Sequence, residues 1–485
     1  MNAAGLRLAA AAAAVTLSAS AERAWRFDVG ADFRVRQEVM DNLPGLPGGG
    51  PYAMTTGERT KYKNQVRFRP RAWFEAGTGP FSLYLRVADE FREYPTLHTP
   101  RSEQAYGFPD ELFLDSLHLD AKGLEPEALS GLGVSSLDFR IGRQDLLERG
   151  RSVFGLDRIV ADGTPTDGSR SFYSDMARAT LGFGAARKLD VFALYDSGRN
   201  DIRWGTNRSR GRSLNCINMT DSADLDEWGG GLVYAQEALD GRLPFKAYAI
   251  FKRNEGHTKT SATAGERYVS AKELTTLGVL LAPEFTDSWG AEVEVAKQLG
   301  RIVDGNLEAG GHMAHVEVRY RTDFLRAYRP TVSWATTYYS GDRHRTEADD
   351  SDTAWDPVWG RCTQNSEMLV YGTLYENGWW SNMIYSKLKL MMDFGPHHGF
   401  YLYTGPMFAA VQDGLGRSDG GGSTYKGLLS AARYDFPVRL AQKGARGLDR
   451  IEVFAHVVGE LFHPGDYYES SKPAYFVRWQ IDFRF

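Results

Sequence analysis

The chain has 485 residues, a formal net charge of -5, 13% aromatic residues and a mean hydropathy of -0.40. That length would suit about three soluble domains at ~150 residues each, yet no Pro/Ser-rich linker, charge block or shift of composition divides it. The acidic balance and the lack of a compact basic tail point away from nucleic acid as a partner.

At the start of the chain, Arg7 precedes an apolar run from Leu8 to Leu17, and Ala19-Ser20-Ala21 forms a small-residue cleavage site. This is the layout of a secretory signal peptide, so residues 1–21 are expected to be removed and the mature chain to begin near Glu22. No Cys follows the site, which argues against a lipid-anchored N-terminus. Beyond it, nothing approaches the ~18 to 20 uninterrupted apolar residues of a membrane-spanning helix. A secreted chain of this kind is either soluble or a β-barrel. The 24 Tyr and 26 Phe, diluted by polar neighbours, favour the barrel, because alternation lowers mean hydropathy without removing a lipid-facing surface.

Alternating segments bounded by turn residues recur along the chain. They fall at residues 26–39, 64–75, 81–91, 112–120, 136–144, 174–183, 188–197, 228–237 and 243–254 in the first half. The second half has 272–282, 287–297, 309–322, 328–340, 383–394, 398–411, 426–437, 449–462 and 472–485. The total is eighteen, an even number as a single-chain bacterial barrel requires. The gaps alternate in length: 76–80, 184–187, 283–286, 323–327 and 395–397 are short, whereas 40–63, 92–111, 145–173, 198–227 and 341–382 are long. Short periplasmic turns on one rim and long extracellular loops on the other are expected, with both termini in the periplasm. Residues 22–485 then form one all-β domain, a transmembrane antiparallel barrel in the bacterial outer membrane.

The closing segment is the clearest. Tyr475, Val477, Trp479, Ile481, Phe483 and Phe485 share one face, and Arg478, Gln480, Asp482 and Arg484 the other. Period-two alternation carried to a terminal aromatic marks a lipid-facing closing strand, and closure against the first strand removes its exposed edge. Lipid is therefore one expected partner, and the barrel-assembly machinery, engaged through Phe485, another.

With apolar positions turned to lipid, the intervening ones line the lumen. Phe33 and Val35 turn Arg34 and Arg36 inward; Val66, Phe68, Ala72 and Phe74 leave Arg67, Arg69 and Arg71 inside. Leu83, Leu85 and Val87 do the same for Arg86, as Phe139 and Ile141 do for Arg140. Lys246, Lys252, Arg319, Arg321, Lys387, Lys389, Arg450, Arg478 and Arg484 add positive charge further round, with Glu292, Glu294, Glu317, Asp393, Glu452 and Asp482 among them. Such charges require a watery lumen or pairing.

The segments Asp32-Phe-Arg-Val-Arg-Gln-Glu38, Val66-Arg-Phe-Arg-Pro70 and Phe139-Arg-Ile-Gly-Arg-Gln144 form an ordered series. Tyr339-Ser-Gly-Asp342, Trp355-Asp-Pro-Val-Trp-Gly-Arg361 and the closing strand continue it. In order and spacing the series resembles the alginate export family of outer-membrane barrels. The resemblance implies an eighteen-stranded channel that passes an anionic uronate polysaccharide or oligosaccharide, together with periplasmic export or uptake components. A porin selective for other anions is the alternative. Independently, arginine presents a planar fork suited to carboxylates, and a ladder of arginines favours anions. The other reading is that the same arginines brace the wall by pairing with Glu38, Glu75 and Asp138.

The loop at 145–173, with Arg143 at its entry and Arg149, Arg151 and Arg158 within, is a candidate constriction; a solvated outer loop is the other reading. In 341–382, Trp355, Trp359, Trp379 and Trp380 suit interface anchoring or loop packing better than sugar stacking. The acidic runs 221–227 and 347–352 match no ordered calcium loop and read as hydrated loops. Cys216 and Cys362 both fall in outer loops, where a disulfide is an option. His312 with His315, and His397 with His398, show no metal spacing, and no metal or other cofactor is expected. No GxSxG or HExxH motif is present, and residues 420–427 lack the order of a phosphate-binding loop, so an enzyme is not expected. A surface barrel with a lumen filled by paired side chains remains a third class.

Overall fold

Eighteen alternating stretches fold as antiparallel strands that pair in chain order and close into one barrel. The computed structural model describes residues 25–42, 63–89, 91–93, 95, 112–148, 151–160, 174–196, 203–204, 226–238, 241–261, 265–305, 307–343, 351–360, 366, 381–412, 423–438, 451–468 and 471–485. The wall begins with β1 (Arg26–Asp41), β2 (Lys63–Thr78), β3 (Phe81–Asp89), β4 (Leu112–Leu124), β5 (Ser136–Gln144) and β6 (Ser174–Gly182). It continues through β7 (Arg187–Asp196), β8 (Glu227–Ala238), β9 (Leu243–Asn254), β10 (Lys272–Leu281), β11 (Trp289–Ile302) and β12 (His312–Arg321). The last six are β13 (Thr331–Tyr339), β14 (Met383–Gly395), β15 (His398–Phe408), β16 (Tyr425–Pro437), β17 (Glu452–Pro464) and β18 (Ala474–Arg484).

Each expected strand is present. Those at 136–144 and 243–254 keep both boundaries, while β11 runs on to Ile302, where its end pairs with the short segment Leu307–Ala309. β18 closes on β1 with Asp32 opposite Arg484 and Asp41 opposite Tyr475. The Phe485 amide donates to the Ala31 carbonyl at 2.9 Å, so the terminal residue pins the seam. Side chains alternate as the pleat demands. Val477, Trp479, Val293, Val295, Leu277 and Leu388 stand exposed outside, where a bilayer covers them. Trp25, Phe27, Phe285, Trp289 and Phe324 ring the short-turn rim, and Tyr195 and Trp228 the opposite one, as in aromatic belts.

Short turns join one rim; the one at 125–135 holds a single helical turn, Glu127–Ser130. The other rim carries the long loops, one with a hairpin of His257–Ser261 and Gly265–Val269. The hydrophobic core lies inside the barrel toward that loop rim. Phe154, Leu156, Ile159, Val160, Trp355 and Trp359 from two loops pack there on inward side chains such as Phe192, Val233, Tyr248 and Tyr339. Residues 1–21, Arg149, Cys216, Cys362, Trp379, Trp380 and Arg450 lie outside the described residues, so the signal-peptide and disulfide expectations have no structural counterpart here.

Candidate functional site in the barrel lumen

β1 places Arg34, Arg36 and Glu38 on the lumen face, all buried. The register sets Arg34 beside Arg69 and Asp482, Arg36 beside Arg67 and Gln480, and Glu38 beside Gln65 and Arg478. Glu38 becomes a hub: Arg36 approaches to 3.1 Å, Arg67 to 3.5 Å and Arg478 to 3.7 Å. Gln65 donates to it at 2.5 Å. One carboxylate thus gathers three buried guanidiniums on the lumen wall.

Lower on the wall the pairing is closer to one-to-one. Arg71 pairs with Asp32 at 2.8 Å and reaches Asp115 at 4.0 Å; Arg86 pairs with Asp115 and, at 2.8 Å, with Asp145. Arg140 pairs with Asp120 at 2.6 Å. Of the braces expected from sequence, Glu38 holds its arginines, whereas Asp138 accepts the Gly123 amide at 2.6 Å. Asp115 was not among them because it is the extra residue of a β-bulge: Arg86 faces Ser116 and Val87 faces Leu114. A bulge re-aims a side chain that simple alternation assigns elsewhere. On the far wall, Arg319 and Arg321 both meet Glu284, the latter at 3.3 Å, and Lys389 meets Glu317 at 2.5 Å. Lys387 lies 4.9 and 5.4 Å from the Tyr385 and Tyr403 ring centres.

The loop following β5 folds into the lumen. After a tight hairpin, Leu147–Glu148 with Arg151–Ser152, its apolar residues bury against β7, β8 and β9, with Phe154 stacked on Phe192 at 4.4 Å. Lys246 clamps it by donating to the Phe154 and Gly155 carbonyls at 3.0 and 2.9 Å. Gly155 has φ +63°, and a Cβ there would stand 2.0 Å from the Lys246 ammonium. Among the described residues, the loop's arginines have partners and do not prolong the basic track. Arg143 is buried and donates to the Leu114 carbonyl, Arg151 pairs with Asp157 at 2.8 Å, and Arg158 crosses the lumen to Glu292 and Glu294, 2.7 Å each. Tyr248 also donates to Glu294, at 3.0 Å.

A second loop meets the first. Asp352 pairs with Lys272 at 3.0 Å, and Asp356 with Lys252 at 3.4 Å and Lys272 at 3.7 Å. Burial alone would raise the Asp356 pKa, but these ammonium groups, joined by the Val358 amide, hold it below its ordinary value. Gln298 fixes the same residue from both sides, donating to its carbonyl at 2.8 Å and accepting its amide at 2.9 Å. Trp355 and Trp359 are buried, which is loop packing and not interface anchoring. Trp359 donates its amide to the Ile159 carbonyl at 3.2 Å and forms a parallel bridge with Val160. Gly229 in β8 makes room for it, since a Cβ there would lie 2.9 Å from the Trp359 ring and 2.0 Å from the Phe251 carbonyl. The two loops thus build one waist. The second run of acids supplies it with Asp352, and Glu227 from the first pairs with Lys252 at 3.3 Å.

On the short-turn side of the waist the lumen widens. A cavity of about 770 Å³ runs from Arg69, Arg71 and Arg86 across to Tyr401, Phe454 and Arg484. A second, about 500 Å³, lies against Tyr84, His118, Arg140 and Arg178, and Leu147 and Glu148 border both. Volumes of this order hold small-molecule ligands.

No protein-family model matches the chain, and no curated protein matches it in sequence. Several solved outer-membrane proteins share its fold. OccAB1 of Acinetobacter baumannii superposes with a TM-score of 0.54 at 11% identity, over 95% of this chain and 96% of that one. OpdK of Pseudomonas aeruginosa gives 0.52 at 11% identity, over 94% and 98% respectively. The structure of OpdK with vanillate gives 0.51 at the same identity and coverage. At this identity the likeness concerns the fold: an eighteen-strand barrel of the bacterial outer-membrane porin type.

Proposed function

We propose that this chain is an outer-membrane channel for anionic solutes, with acidic, uronate-type oligosaccharides as its first candidates. The observation that carries the reading is the Glu38 hub, where three buried lumen arginines share one carboxylate. A lumen wall dense in guanidiniums lowers the barrier for an anion and raises it for a cation. The uronate class rests on the resemblance of the arginine-bearing segments to the alginate export family.

A second reading, for small organic anions, is favoured by the waist. Two loops joined through their backbones and tied to the wall by ion pairs leave cavities sized for a small molecule beside them. A long polymer would need both loops displaced together. Proteoliposomes loaded with oligouronates of graded length, against neutral oligosaccharides of equal length, test both readings. Release of short uronates ahead of neutral sugars supports the proposal, and a cut-off at one or two residues selects the second reading. Equal release of charged and neutral sugars overturns both.

A further inference from the structure

The two walls of the 770 Å³ cavity differ in chemistry. Facing the arginines of β2 and β3 is a surface with aromatic side chains. Tyr401 sits on β15 between Met391 of β14 and Arg433 of β16 and lines the cavity, yet its side chain is 44% exposed. An aromatic ring bare to water inside a lumen is unfavourable, whereas on the lipid face it would be ordinary. Phe454 lines the same cavity, and its ring stacks on His397 at 4.7 Å with 12° between planes. His397 holds φ +54° in the turn between β14 and β15, a conformation costly for a residue with a side chain. The stack gives that cost a local purpose: it fixes a flat surface at the wide end of the lumen.

Guanidiniums stand around this surface in exchangeable pairs. Arg321, Arg329 and Arg484 are 49%, 78% and 52% exposed and meet Glu284, Asp393 and Glu452 at 3.3, 3.5 and 3.7 Å. Exposed pairs at these lengths are weak, so an incoming carboxylate competes with them. The Arg484 guanidinium also lies 5.8 Å from the Phe454 ring centre, which brings charge and ring together.

We propose that this wall is a binding subsite for ring-bearing carboxylates, pyranose uronates above all. Tyr401 is the stacking platform, the Phe454–His397 pair its neighbour, and Arg321, Arg329 and Arg484 receive the carboxylate. The inference rests on the anion-channel reading and adds discrimination by shape to selection by charge. A pyranose ring lays its apolar face on the tyrosine while its carboxylate replaces a wall acid. An open-chain acid of equal charge keeps the second contact and loses the first.

Glucuronate and gluconate make that comparison, having the same charge and nearly the same size, with only the first cyclic. Block of the single-channel current by each is measured on the full-length barrel in a planar bilayer. Saturation-transfer NMR on the detergent-solubilised protein reads binding whether or not the channel conducts. Glucuronate is expected to half-block at roughly three- to tenfold lower concentration than gluconate, the factor one aromatic contact supplies. Tyr401→Leu, which keeps apolar volume but no ring face, removes the difference, and Tyr401→Phe keeps it. Leu402→Ala on the lipid face serves as the control for assembly. Equal block and equal saturation by the two acids in the unaltered protein overturn the subsite, as does discrimination that survives Tyr401→Leu. The channel reading fails by a separate result, absence of anion preference in plain salt without either acid.

Discussion

Arg158 joins the inward loop to the opposite wall, and Arg158→Ala tests whether that loop is a gate. Its guanidinium bridges residues 134 and 136 positions away, Glu292 and Glu294, at 2.7 Å each. Removing it takes the local charge from +1 - 2 = -1 to -2 and leaves the fully buried Glu294, among the described residues, with the Tyr248 hydroxyl as its remaining donor. Breaking a buried pair costs about 3–5 kcal/mol. Glu292 is partly exposed, which argues for the lower end, about 3 kcal/mol, or roughly 150-fold in the ratio of docked to undocked loop. Against this stand Phe154, Leu156, Ile159 and Val160, whose burial at ~1.5–3 kcal/mol each amounts to ~6–12 kcal/mol. The loop of the variant therefore stays docked most of the time and leaves far more often. Single-channel recordings should show the same main conductance with excursions to a wider, less anion-selective level roughly a hundred times more frequent. Adding Glu292→Gln and Glu294→Gln should reverse most of the gain. Unchanged excursion frequency in Arg158→Ala would refute the gate.

The second inward loop gives a pH dependence. The folded pKa of Asp356 is depressed, so its contribution is fully present above its ordinary value and lost as pH falls through the lower folded one. Tryptophan emission should hold from pH 7 to below the ordinary carboxylate range and then move to the red as Trp355 and Trp359 meet water; Asp356→Asn should remove that acid step. A shift near neutrality would contradict the assignment. Gly155→Ala must strain a φ of +63° or displace the Lys246 ammonium from two carbonyls, costing about 1–3 kcal/mol, and should speed proteolysis within 145–160 while heat-modifiable migration persists. Deleting Phe485 removes the amide that pins the seam at Ala31 and should lower the yield of assembled barrel; an unchanged yield would leave the terminal aromatic without a part in assembly.

The wall was legible in the sequence because one physical constraint acts on every strand. A residue faces lipid or lumen, and period two follows, as in Phe33, Val35 and Phe68 alternating with Arg34, Arg36 and Arg67. Turn residues then mark the ends to within a few positions. The loop at 145–173 was visible as a constriction candidate from its charge, but the partners of its described part were not. Arg158 to Glu294 and Lys252 to Asp356 join residues 136 and 104 apart across the lumen, and contacts of that range leave no periodic trace. Asp115 was hidden by its bulge. Trp355 and Trp359 carried a compositional signal that fits loop packing and membrane interface alike, and only their burial separates the two. The aromatic surface at Tyr401 was concealed for the opposite reason. Its strand, from His398 to Phe408, is apolar on both faces, so alternation does not say which ring points to water.

The central claim is that lumen arginines set the traffic through this barrel, and the reversal potential across a tenfold KCl gradient tests it most directly. The unaltered protein is expected to give the sign of chloride preference. Arg67→Glu, Arg69→Glu and Arg71→Glu together, in a variant shown to assemble by heat-modifiable migration, should reduce or invert it. A cation-selective unaltered channel, or a triple variant with an unchanged reversal potential, would contradict the account.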